Sequence, residues 1–241
     1  MQTNIDKWVR IGLVGLPLYG ALTFWASLSP QPNPDTQFTQ WAQYVTADIY
    51  VIKHTLGSGL GLVSAMFGTF ALGAYLARGR APHVAMTAMS LSLIGLALFL
   101  MLVGVSTFAA PLQGHAHLAG IDEFAQLPPT FADAILGVVF LGVVAFNLAG
   151  NLLIGVAIWR SELLPRWTGG VWALAALFMY VLGIVYAVTT GSQSTPPTVL
   201  IGAAMVVVSG GAIATIAARS GFSDSPSASS DEEYLESADL H

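Results

Sequence analysis

The chain has 241 residues, of which 55% are hydrophobic and only 9% charged, and its mean hydropathy is +0.70. Soluble domains carry roughly 25% charged residues, so a surface facing water on all sides is excluded. A net charge of −5 argues against a nucleic-acid partner, and the absence of Cys excludes disulfides and thiolate metal sites.

A bilayer span needs about 20 mostly apolar residues. Six stretches qualify: Val9–Leu28, Thr55–Ala77, Val84–Ala110, Phe131–Trp159, Gly169–Thr189 and Val199–Ala218. The expected fold is all-α, a six-span transmembrane bundle over residues 1–219 followed by a tail at 220–241. The first stretch has a basic start but is long for a signal-peptide core. Its end, Trp25-Ala26-Ser27-Leu28-Ser29-Pro30, offers no convincing A-x-A-like cleavage site, so it reads as an uncleaved span.

Between spans 1 and 2 a Pro-rich turn, Ser29 to Asp35, precedes Phe38, Trp41, Val45, Ile49 and Ile52 at three- and four-residue spacing. That periodicity predicts a short amphipathic helix, which either caps the bundle, lies flat on the interface or leads into span 2. Asp48 falls on this loop, and His54 stands at the mouth of span 2. Gly57 and Gly61 form a small-xxx-small pair, which Ser64, Gly68 and Thr69 extend into a seam suited to packing within the chain.

The connections after spans 2 and 4 each place Arg at a helix end and Pro before the next span: Arg78-Gly79-Arg80-Ala81-Pro82 and Arg160 to Arg166 around Pro165. They read as an internal repeat of helix pairs or as two solutions to one turn problem. The segment from Pro111 to Thr130 is expected to be a long loop. In it His115 and His117 stand two apart, followed by Asp122 and Glu123. In extended chain both rings would point to one side. With a carboxylate and His54 they form a weak candidate site for Zn or Cu, against the plainer reading of solvated loop histidines.

Span 4 carries the polar candidates for a ligand site. Asn147 and Asn151 share a helix face, and Asp133 lies on it about five turns earlier. They line a ligand pocket or make interhelical hydrogen bonds. Asp133 also fits a capping box with Thr130. No Lys, Arg, Glu or His falls in the interior of the six stretches, Arg10 standing at the very start of the first, which counts against ion coupling, a haem held at depth and buried acid/base catalysis.

Seven of the eight basic residues fall on one side if every stretch crosses: Lys7, Arg10, Arg78, Arg80, Arg160, Arg166 and Arg219, with Lys53 alone opposite. Cytoplasmic loops attract Lys and Arg, so both termini are expected in the cytoplasm of a bacterial inner (plasma) membrane. Trp8, Trp159 and Trp167 fall at that same interface. The tail from Ser220 to His241 holds six of the thirteen acidic residues and no base. It reads as a disordered, solvated segment with Asp231-Glu232-Glu233-Tyr234-Leu235 as a candidate docking peptide.

Three pieces carry a resemblance: Lys53-His54-Thr55-Leu56-Gly57-Ser58, Gly114-His115-Ala116-His117-Leu118-Ala119-Gly120, and Trp159-Arg160-Ser161-Glu162-Leu163-Leu164-Pro165-Arg166-Trp167. They resemble uncharacterised, actinobacterial-type multi-pass membrane proteins. That resemblance implies a class and no activity, and in it Arg and Tyr often stand at the positions of His115 and His117.

The sequence thus points to a non-catalytic membrane protein with an accessory, scaffolding or sensing role, holding a small apolar ligand between spans 2, 4 and 5. A facilitator of a neutral solute and an outer-face metal protein are the alternatives. Whether a cofactor is bound stays open. The expected partners are the bilayer and, through the acidic tail, a cytoplasmic protein; homo-oligomer and subunit of a membrane complex stay open.

Overall fold

The computed structural model describes residues 2–121, 131–190 and 195–219. All regular structure among them is helical, in the order α1 Gln2–Leu13, α2 Gly15–Ala26, α3 Phe38–Val45, α4 Asp48–Ile52, α5 Gly61–Leu76, α6 Pro82–Leu118, α7 Phe131–Ser161, α8 Arg166–Ala176, α9 Gly183–Thr190 and α10 Pro197–Arg219. Two π-helical segments, Lys53–Leu60 and Leu177–Leu182, join α4 to α5 and α8 to α9. Six helical stretches are long and apolar enough to cross a membrane: Asp6–Ala26, Asp48–Leu76, Pro82–Leu118, Phe131–Ser161, Arg166–Thr190 and Pro197–Arg219. The acidic tail, the capping residue Thr130 and the loop acids Asp122 and Glu123 lie outside the described residues.

Each span packs on its neighbours in sequence, and the sixth returns to the first, so the six close into a ring. Their outward faces are apolar: Phe67, Phe70, Phe108, Val138 and Leu141 all point away from the bundle. In water such a surface would drive aggregation, whereas in hydrocarbon it costs nothing.

Spans 1, 2 and 6 meet through glycines. A Cβ on Gly68 would fall 2.8 Å from the Leu16 backbone nitrogen, and one on Gly210 would fall 2.9 Å from the Leu16 Cβ. Lipid supplies no hydrophobic drive between helices, so close backbone approach of this kind is what holds them together. Gly57 abuts Ala26 and Gly61 abuts Leu22, which places the expected small-residue seam between spans 2 and 1. Span 1 breaks between α1 and α2 because Pro17 has no N–H to donate to the Leu13 carbonyl.

The N terminus and the turns after α5 and α7 gather at one end of the ring. Asp6 pairs with Arg78 at 2.7 Å, and Arg80 pairs with Glu162 at 2.7 Å. Gly79 lies against the Ser161 backbone. The Arg166 guanidinium sits 5.6 Å from the centre of the Trp159 ring, a cation–π contact within the Trp159–Trp167 turn. The two similar turns therefore touch one another.

At the opposite end, α3 caps the ring. Trp41, Ala42 and Val45 are buried with Tyr50, while Ile49 and Ile52 are exposed. The apolar period expected to run from Phe38 to Ile52 is thus broken at Thr46 and Ala47. The second half leads into span 2.

The expected loop from Pro111 is corrected: α6 continues through Pro111 to Leu118. Proline removes one helical hydrogen bond, but packing outweighs that loss. Gly114 seats against Val45 of α3 and Thr46 just after it, and the His117 ring meets Phe38 edge-on at 4.7 Å. Burial at this cap raises the pKa of the Tyr44 hydroxyl above its ordinary value.

Candidate functional site

Inside the ring, in the half away from the basic end, the six spans stand apart around a cavity of about 560 Å³. Every span contributes to its wall: Tyr19, His54, Val103, Val143, Tyr180 and Val199 are one residue from each. The wall is mostly aliphatic and aromatic. Its volume falls within the range of about 300–1,000 Å³ usual for small-molecule sites.

Both π-helical segments border this cavity. His54 and Ser58 come from the first, and Met179 and Tyr180 from the second. A π-turn inserts one extra residue between hydrogen-bonded partners, which widens the helix and turns its side chains to new directions. Such insertions recur at functional sites. Two of them facing one cavity are the strongest local mark of a site in this protein.

His54 is held by its own helix. Its Nδ1 lies 3.0 Å from the Tyr50 carbonyl oxygen, and its ring lies 3.9 Å from the Tyr50 ring, tilted by 34°. Tyr50 is in turn fixed to span 3, where its hydroxyl lies 3.1 Å from the Ser106 carbonyl and 3.0 Å from Ser106 Oγ. The imidazole therefore has a set orientation at the edge of the cavity.

Deeper in the bundle lies a second cavity of about 20 Å³, room for about one water molecule. Thr69, Ser92, Asn151 and Trp172 border it, and Tyr19 and Tyr180 border both cavities. These two tyrosines interact through their side chains, and Tyr19 also reaches Thr23. They form the partition between the large space and the small one.

The asparagines take different roles. Asn151 Nδ2 donates to the Asn147 carbonyl at 2.8 Å, and its Oδ1 accepts from Trp172 Nε1 at 2.8 Å, so it ties spans 4 and 5. Asn147 is fully buried, and its Nδ2 donates to the Val143 carbonyl at 2.9 Å. Its Oδ1 has no partner among the described residues. The Asn147 side chain fills the space left by Gly95 on span 3, and Ser92 reciprocally fills that left by Gly150. Asn147 borders neither cavity, and Asn151 borders only the small one. Asp133 is exposed in the first turn of α7, far along the helix from both.

The histidines are not gathered. His115 and His117 lie on α6, where residues two apart point about 200° away from each other, so the expectation of two rings on one side is corrected. His117 Nε2 lies 3.0 Å from Thr39 Oγ1, His115 is exposed, and His54 faces the central cavity. Among the described residues no group of three His, Cys, Asp or Glu is placed to hold a metal.

The cavity itself was beyond sequence reasoning, since it depends on how the ring closes. His54 had a signal in the motif Lys53 to Ser58, where Gly57, with Gly59 just beyond it, loosens the helix, yet span 2 was expected to begin one residue after it. The helix in fact runs from Asp48. No protein-family model matches the chain, and neither a curated protein nor a solved structure matches it.

Proposed function

We propose that this is a non-catalytic, multi-pass membrane protein that holds a small, mostly apolar ligand in the cavity at the centre of its ring. The observation that carries this reading is the cavity of about 560 Å³ with walls from all six spans and π-helical segments on two of them. A structural bundle gains nothing from such a space, because unfilled volume forfeits packing contacts. A ligand, lipid chain or solute restores them.

The membrane is the cell membrane, with the basic end in the cytoplasm and the α3 cap outside. The side-specific placement of Lys and Arg supports that orientation. A reporter fused after Arg80 or Arg166 is expected to read cytoplasmic, and one at Gln113 external. The cavity then opens from the outer half of the bilayer, which suits a sensing or accessory role for an apolar molecule arriving from that side.

Native mass spectrometry of the protein released from membranes tests the ligand. Wild type is expected to retain a small molecule that Val143→Trp, which pushes an indole into the cavity, does not. Wild type free of any adduct from every membrane source, with Val143→Trp equally stable, would remove the reading.

One observation favours a second reading, a facilitator for a neutral solute. Tyr19 and Tyr180 border both cavities, so the small polar space is the next step on a path toward the basic end. Solute flux into proteoliposomes separates the two. Flux that rises in Tyr180→Ala supports a path, and a flat response across water, glycerol and urea supports a closed binding site.

A further inference from the structure

We propose that the ligand of the central cavity is an apolar alcohol whose hydroxyl donates its hydrogen to His54 Nε2. This rests on the cavity reading above and adds the chemistry of the head group.

The inference starts from one hydrogen bond. His54 Nδ1 lies 3.0 Å from the Tyr50 carbonyl oxygen. A carbonyl can only accept, so the proton of that bond sits on Nδ1. A neutral imidazole carries one N–H and one bare nitrogen, and the bond to Tyr50 fixes Nε2 as the bare one. No carboxylate borders the cavity among the described residues, so nothing there calls for an imidazolium. The site therefore offers an acceptor at His54.

An acceptor selects a donor. Hydrocarbons, ethers and esters have none, and an ammonium or carboxylate would enter a mostly apolar space without a counter-charge, which is costly. A neutral O–H or N–H donor remains, and the hydroxyl, with the least polar surface to bury beyond its one donor, fits a mostly apolar space best. Other hydroxyls stand in the wall: Ser106 is engaged with Tyr50, and Tyr19 with Tyr180 and Thr23, while Ser27, Ser58 and Thr195 also border the space; among the described lining residues His54 alone carries a side-chain nitrogen.

Placement of the imidazole is firm enough for selectivity. The Tyr50 ring packs on it at 3.9 Å, and Tyr50 is buried and bonded to span 3. Beyond it, Phe99, Val103, Phe140, Val143 and Ile184 line the cavity with aliphatic and aromatic surface. About 560 Å³ exceeds what a short alcohol fills, so the apolar body is larger than a few carbons. Discrimination by such a site follows from leaving a buried polar group unpaired when the wrong ligand binds.

The test compares farnesol with farnesyl methyl ether, which share a body and differ in the donor. Binding is measured by native mass spectrometry and by competition in detergent, on wild type, His54→Leu and Val143→Trp. Wild type is expected to bind the alcohol at least tenfold more tightly than the ether. His54→Leu is expected to bind both at the level of the ether, and Val143→Trp neither. In wild type labelled with ¹⁵N-histidine, farnesol and not the ether is expected to shift the Nε2 resonance, which needs no variant to fold. Equal binding of alcohol and ether to wild type, or a preference that survives in His54→Leu, overturns the head-group assignment and leaves the cavity reading standing. Failure of wild type to bind either molecule overturns the cavity reading and this assignment with it.

Discussion

At the basic end Gly79 lies so close to Ser161 that a Cβ would meet its carbonyl oxygen at 2.7 Å, and ion pairs tie the N terminus and the two turns together. At the other end the same six helices diverge around about 560 Å³ and need a separate helix, α3, as a cap. The difference lies in residue size at facing positions. Small residues let helices approach, and they line the contacts of spans 1, 2 and 6 near Leu16 and of spans 3 and 4 near Asn147. Around the cavity Phe99, Phe140 and Tyr180 hold the spans apart, and the two π-helical segments widen the gap. One half is built to stay closed and the other to contain something.

Substitutions of the same kind should therefore have opposite effects in the two halves. Gly68→Leu would drive a side chain into the Leu16 backbone. Overpacking costs about 1–3 kcal/mol and more where backbone must move, so this variant is expected to unfold well below wild type, or to fail to assemble. Val103→Phe adds comparable bulk to the cavity wall and is expected to be neutral or to stabilise by about 0.5–2 kcal/mol. Thermal unfolding in detergent, followed by tryptophan fluorescence, measures both. Equal losses would erase the distinction between a packed and a hollow half.

The seam between the halves gives a finer comparison. Asn151→Leu removes the bond from Trp172 and exposes a buried indole N–H to an apolar wall. Interhelical hydrogen bonds in membranes contribute about 0.6–2 kcal/mol, and a loss of that size is expected. Asn147→Leu removes a carboxamide that bonds only its own helix and has an unpartnered Oδ1. Its cost is expected to be smaller, provided Leu fits against Gly95. A larger loss at Asn147 than at Asn151 would mean that its oxygen is satisfied in the membrane, by water or by a ligand reaching this deep.

Much of the frame was legible because hydrocarbon imposes a simple rule: every span must be long, apolar and internally hydrogen bonded. All six were found within a few residues at each end, except where α6 outran Pro111 and where span 2 began at Asp48 instead of Thr55. The loop was expected to begin at that proline, which lacks an N–H for the helical ladder. The contacts of α3 with Gly114 and His117, which carry the helix onward, come from about 70 residues away in sequence and leave no local trace. The same holds for His54. Its place within the helix depends on α4 running straight into the π-helical segment, and its chemistry depends on the Tyr50 carbonyl. The asparagines were visible as a shared face, but two identical residues on one face took different partners, since only Asn151 lies level with Trp172. Periodicity shows which way a side chain points. It does not show what stands opposite.

The smallest effects belong to the basic end. Arg80 and Glu162 are both largely exposed, so their ion pair is screened and pays for ordering two long side chains. Arg80→Ala is expected to leave stability unchanged within error. Glu162 differs in its backbone, with φ of +59°, the left-handed region that disfavours a side chain. Glu162→Gly relieves that strain but adds freedom to the unfolded chain, which takes back about 0.5–1 kcal/mol. The net expectation is a gain of under about 1 kcal/mol, visible as a small rise in melting temperature. If Glu162→Gly instead destabilises while Arg80→Ala does not, then the Glu162 side chain holds the α7–α8 turn by something other than its arginine, and the closed half of the molecule depends on more than small residues and close helices.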